Sequence, residues 1–127
     1  MVEKEIILTE GTDVSKMVFS PAVRAGDFVF PSGSAGLRDG KVAGHDVESQ
    51  ADQALRNLGK VLVAAGCIWE QGVKGNCFLI NPQRDFQGWN KVFKKYFPEN
   101  PPARTTVGTS QLIGPDWLLE VELIAVK

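Results

Sequence analysis

The chain has two cysteines, one histidine and one tyrosine in 127 residues, and each scarcity removes a class of function. Cys67 and Cys77 fall outside close metal-ligand spacing, and a small chain of this composition has little need of a disulfide, so both read as small core hydrophobes. His45 lies in a glycine-flanked turn without a matching Cys or Asp cluster, which argues against a zinc site. No window approaches eighteen consecutive apolar residues, so a membrane span is not expected. The segment from Met1 to Thr9 mixes Glu3, Lys4 and Glu5 into a short apolar run and lacks the basic start of a secretory signal. Cytoplasmic residence is the expectation. A net charge of -1 and an isoelectric point near 5.8 supply no general attraction to nucleic acid or anionic membrane.

What remains is ample apolar material, 43% of residues, enough for one globular domain over residues 1–127. Ile6 to Leu8 reads as a first strand. Met17 to Val23 and Phe28 to Pro31 read as a hairpin turning at Arg24-Ala25-Gly26-Asp27. Ser32-Gly33-Ser34-Ala35-Gly36 is a small-residue stretch where backbone can approach another group closely. From Asp46 to Ala65 apolar residues recur at helical spacing, with Asp46 as N-cap and Gly66 as terminator. Val73 to Ile80 reads as a central strand. Asp85 to Phe97 reads as a second helix with Phe86, Trp89, Phe93 and Phe97 on one face, stopped by Pro98. Arg104 to Leu112 and Leu118 to Val126 read as closing strands joined by the turn Ile113-Gly114-Pro115-Asp116. Strands before and after two helices indicate an α+β domain, a mixed, mostly antiparallel sheet with both helices on one face.

Two charged residues stand out. Arg104 follows Pro101-Pro102-Ala103 and opens a β-branched run, so a stiff backbone delivers the guanidinium to the start of a strand. Its planar fork suits a carboxylate. Glu120 shares a strand face with Leu118, Glu122, Ile124 and Val126, too apolar a face for plain solvent, where carboxylates need hydrogen bonds, positive partners or a polar cleft. An internal Arg–Glu ion pair or a wet sheet edge would equally account for the two residues. The lysines Lys91, Lys94 and Lys95 read as a solvated helix face.

The stretches Ser20-Pro21-Ala22-Val23 with Gly26, Ser32-Gly33, Gln50 with Asn57-Leu58, Ala64-Ala65-Gly66, Asn90 through Tyr96-Phe97-Pro98, Pro102-Ala103-Arg104, and Glu120-Val121-Glu122 with Ile124-Ala125 resemble, in order and spacing, the reactive intermediate deaminases (the RidA or YjgF family). The resemblance covers Phe19 to Val126. It implies a chorismate mutase-like fold, a homotrimer with a pocket at each subunit interface, and cofactor-independent, metal-free hydrolysis of enamines and imines to 2-oxo acids and ammonia. Such a substrate is a small acid bearing a carboxylate; nucleic acid is not an expected partner. By the same resemblance Arg104 binds the substrate carboxylate and Glu120 stands beside the hydrolytic water, while Phe19, Ser32, Gly33, Asn90 and Thr106 line the pocket. The chain departs from the pattern where Phe19 replaces a tyrosine, Ser34 a glutamine, Thr106 a cysteine and Phe93 a frequent tyrosine. Phe19 and Trp89 favour a larger or more apolar acid, although Trp89 reads equally well as core. Three further readings stand beside the deaminase: an enzyme for an aminomuconate-like unsaturated amino acid, a regulatory trimer that holds a metabolite carboxylate without turnover, and RNA cleavage, to which the acidic isoelectric point adds no support.

Overall fold

A computed structural model describes residues 3–127. Nine strands and two α-helices follow in chain order: β1 (Lys4–Ile7), β2 (Ala22–Ala25), β3 (Phe28–Pro31), β4 (Ser34–Ala35), β5 (Leu37–Arg38), β6 (Lys41–Val42), α1 (Val47–Ala64), β7 (Gly72–Leu79), α2 (Pro82–Tyr96), β8 (Ala103–Gly108) and β9 (Leu119–Val126). The main sheet runs β1-β2-β3-β9-β7-β8, with β4 also paired to β9. Among the described residues only the β7–β8 pair is parallel. The small β5–β6 hairpin stands apart.

Local chemistry explains the ends of the elements. Asp46 Oδ1 accepts from the Ser49 amide at 2.8 Å and starts α1, satisfying a donor the first turn leaves free. Gly66, at φ +75°, stops the helix with a conformation that costs a Cβ-bearing residue. Helix α2 starts at Pro82, three residues before Asp85, because Asn81 Oδ1 caps the Arg84 amide at 3.1 Å and Pro82 needs no donor there. The first hairpin is tighter than its sequence suggests: Ala25 pairs with Phe28, and Gly26-Asp27 alone make the turn, with Gly26 at φ +58°. Residues 17–21 lie outside the strand.

The helices cover one sheet face. Leu55, Leu58 and Leu62 of α1 and Trp89, Val92 and Phe93 of α2 bury themselves with Cys77, Leu79, Leu119, Val121, Leu123 and Ala125 of the central strands. The alternation along β9 is complete, each odd-numbered residue buried and each even-numbered one half-exposed. The opposite face carries Phe28 and Phe30, both exposed, and Val126, Ile124, Glu122 and Glu120 of β9.

One expected pairing does not form. Strands β8 and β9 are not a hairpin; β7 lies between them, parallel to β8 and antiparallel to β9. Helix α2 is a crossover from β7 to β8, and a strand–helix–strand crossover delivers a parallel neighbour. The segment from Thr109 to Leu118 then carries the chain past β7, with Gly114 so close under the Trp117 indole that a side chain there would collide.

Candidate functional site

Arg104 lies opposite Gly75 on the parallel ladder, and its residue parity is that of Thr106 opposite Cys77. Both therefore face the helices. The guanidinium sits 4.8 Å from the Phe93 ring centroid, 5.6 Å from Phe86 and 5.7 Å from Trp89, where ring quadrupoles favour a cation. Its Nη2 donates to Asn90 Oδ1 at 2.5 Å. Arg104 forms no ion pair among the described residues, whereas other arginines, Arg24, Arg56 and Arg84, each hold a carboxylate. A guanidinium steered by an amide and three rings, with no carboxylate of its own, keeps the fork geometry that a carboxylate can pair with. Around it a cavity of about 350 Å³ is lined by Asn90, Phe93, Lys94, Pro101 and Pro102 among others, and Lys94 adds a second positive charge to its rim.

Beneath the arginine lies Cys77, whose thiol burial pushes up to about 11 against the opposing pull of Arg104. A thiol so hard to ionise is no nucleophile at neutral pH. Trp89 Nε1 and Thr106 Oγ1, beside this sulfur, are buried without a conventional hydrogen-bond partner.

Glu120 faces the other way. It lies across from Phe78 on β7 and Ala35 on β4, on the open face of the sheet. Burial, with Glu122 on the same face adding repulsion, raises its pKa above the ordinary carboxylate value. Glu122 itself accepts from Asn76 Nδ2 at 3.1 Å. Gly33 meets Glu120 so closely that a Cβ on it would stand 2.5 Å from Oε2, so the close backbone approach expected of the small-residue stretch is realised there. Ser32 is tied down by its own hydroxyl, which donates to the Ser20 carbonyl at 2.6 Å, and by its amide, which donates to the Pro21 carbonyl at 2.9 Å. Phe19, next to Ser20, is 73% exposed. Ser34 pairs with Val121 through β4. A cavity of about 500 Å³ over Glu120 is lined by Phe78, Gln111, Leu112 and Ile113.

The sequence-predicted site thus divides in two. Arg104, Asn90 and Thr106 gather on the helix side at the β8 edge; Glu120 and Gly33 meet on the open side beside β4, with Ser32 next in the chain and bonded to Ser20, the neighbour of Phe19. Three residues of strand rise and two strand spacings separate the Arg104 and Glu120 backbones, about 14 Å, with the sheet between their side chains. An internal Arg104–Glu120 ion pair is excluded. Gln111, Leu112 and Ile113 escaped notice because they read as strand end and turn; the available signal was an isoleucine placed directly before Gly114-Pro115, where a turn would take a polar residue. No three His, Cys, Asp or Glu side chains among the described residues converge as metal ligands would.

The chain matches the family described as Endoribonuclease L-PSP over residues 13–127. It is 36% identical over 113 residues to "Reactive Intermediate Deaminase A, chloroplastic" of Arabidopsis thaliana, a match that covers 87% of this chain and 60% of that protein. Against the 2-iminobutanoate/2-iminopropanoate deaminase of Rattus norvegicus the identity is 32% over 126 residues, 98% of this chain and 90% of the relative. The crystal structure of E. coli TdcF with bound serine superposes with a TM-score of 0.86 at 30% identity, covering 97% of this chain and 98% of that one.

Proposed function

The chain belongs to the Endoribonuclease L-PSP family, the RidA/YjgF family, and from that membership we propose that it hydrolyses 2-imino acids and their enamine tautomers to 2-oxo acids and ammonia. The observation that carries the reading is Arg104, a guanidinium oriented by Asn90 and three aromatic rings without a carboxylate of its own. Relatives named as deaminases support it, as does a structural neighbour holding an amino acid.

In this reading two copies of the chain complete each pocket, because the half-sites face opposite sides of one sheet. Arg104 of one copy grips the substrate carboxylate through its fork and fixes C2 near Glu120 of the next. A water oxygen adds to C2 of the protonated imine while Glu120 takes a proton from that water, its raised pKa making it a better base than an exposed glutamate. The product is a carbinolamine. Glu120 returns the proton to nitrogen, the C–N bond breaks to release ammonia, and the C2 hydroxyl gives its proton to the Glu120 carboxylate as the carbonyl forms. Water is the only co-reactant, so neither metal nor organic cofactor has a part in this scheme.

An amino acid oxidase supplying the imine, with semicarbazide trapping whatever escapes hydrolysis, tests the proposal. Wild type suppresses trapping and Arg104→Ala does not. Glu120→Gln lowers turnover by about a hundredfold or more, with a smaller change in KM. Equal suppression by wild type and Arg104→Ala would remove the carboxylate clamp and the proposal with it.

A further inference from the structure

We infer that the pocket selects imino acids with bulky apolar side chains, the substituent on C2 lying against Phe78, Leu112 and Ile113. This deepens the deaminase reading and rests on it. Every substrate of that class shares a carboxylate, a C=N carbon and a nitrogen; only the C2 substituent varies. Arg104 takes the carboxylate and Glu120 faces C2, so the wall around Glu120 is what the substituent meets.

That wall is apolar. Phe78 lies directly across the ladder from Glu120, and Leu112 and Ile113 come from the segment just before β9. Besides Glu120 itself, Gln111 is the one polar residue lining the cavity. On one copy it is an open cleft of about 500 Å³, which leaves room for more than a three-carbon imino acid before the second copy closes over it. Ile113 is 89% exposed on a segment whose other exposed positions, Gln111, Pro115 and Asp116, are polar or a turn proline. An isoleucine left in water beside a carboxylate gains nothing for the isolated chain, and it gains burial when an apolar group seats on it. Phe19 adds a further exposed ring on the Ser32–Gly33 side. A short polar substituent finds only Gln111 to bond here and leaves the apolar wall wet. A branched or aromatic one displaces that water.

The test compares imines generated from alanine, leucine and phenylalanine with the full chain, each in competition with semicarbazide. The leucine- and phenylalanine-derived imines are expected to be hydrolysed with kcat/KM about tenfold or more above the alanine-derived one. Ile113→Ala, a loop substitution that leaves the core intact, is expected to lower the leucine-to-alanine ratio severalfold. A wild-type ratio at or below one, or a ratio unmoved by Ile113→Ala, overturns the inference while leaving the deaminase reading in place. A change in sedimentation of Ile113→Ala without a change in the ratio also overturns it, since the wall would then be covered by a second copy. Hydrolysis of none of the three imines sinks the deaminase reading and this inference together.

Discussion

Glu120 sits on β9 with its carboxylate half withdrawn from water and Glu122 on the same face, so two negative charges share a poorly solvated surface. Its pKa is raised, which means the folded chain holds this proton more tightly than the unfolded chain does. Folding stability from this group is therefore lost as pH rises from the ordinary carboxylate value of 4.5 through the raised one, and at neutral pH the ionised side chain costs stability. Glu120→Gln removes that cost while keeping the shape. The variant is expected to unfold at a higher denaturant concentration than wild type at neutral pH. The difference should shrink as pH falls through the carboxylate range and vanish below it. Urea titrations at several pH values measure this; a variant less stable than wild type at neutral pH would show that the charge is compensated by a partner. Higher stability of Glu120→Gln together with slower turnover would mark Glu120 as a residue kept for chemistry rather than for folding.

At the scale of elements, α1 does more than supply core. Gln50, fully buried, donates from Nε2 to the carbonyls of Gly44 and Asp116 at 2.9 and 3.0 Å and accepts the Leu118 amide at 2.8 Å. Asn57 donates to the carbonyls of Ala35 and Leu37 at 3.1 and 2.8 Å. One helix thus holds both segments that flank Glu120, β4 before it and the turn into β9 behind it. Gly36 permits this, since a side chain there would run into the Gln50 backbone. Gln50→Ala strands three part-buried backbone groups, and an unmet group costs about 1–3 kcal/mol when water cannot reach it, so a loss of about 2–3 kcal/mol is expected, read as a lowered urea midpoint at unchanged slope. A loss below about 1 kcal/mol would mean water replaces the amide. These roles were not legible in the sequence, although the helix was. Asp46 and Gly66 are local signals and mark its ends, but two of the three groups Gln50 serves lie 66 and 68 residues away. The same contrast governs the sheet. Period-two patterning marked the faces of β9, whereas Gly114-Pro115 suggested a hairpin that the crossover through α2 overrules, because turn chemistry reports where a chain bends and not which strand it bends toward.

At the scale of the whole molecule, the chain carries the two ends of its candidate site on opposite faces of one sheet; patterning picked out Arg104 and Glu120, while the family resemblance supplied Phe19, Ser32, Gly33, Asn90 and Thr106. Arg104 and Glu120 were both visible as anomalies, a cation delivered by prolines and a carboxylate on an apolar face. Within one copy the two do not meet, because the sheet lies between their side chains. The open face offers a reason to associate: Ile6, Phe28 and Phe30 are 40–45% exposed there, joined by Val126 of β9, an apolar surface that a monomer would leave wet. If each pocket takes Arg104 from one copy and Glu120 from its neighbour in a closed ring, two inactive variants can rescue each other. Arg104→Ala retains Glu120, and Glu120→Gln retains Arg104. Unfolded together in equal amounts and refolded, they form assemblies in which about a quarter of the pockets contain both native residues, for random mixing around a ring. Imine hydrolysis is expected to return to about a quarter of the wild-type level, while each variant refolded alone stays inactive. A pocket contained in one chain gives no rescue at any mixing ratio, because every chain then lacks one of the two groups; a mixture no more active than its components would place the catalytic pair within a single subunit and require the sheet to open between them.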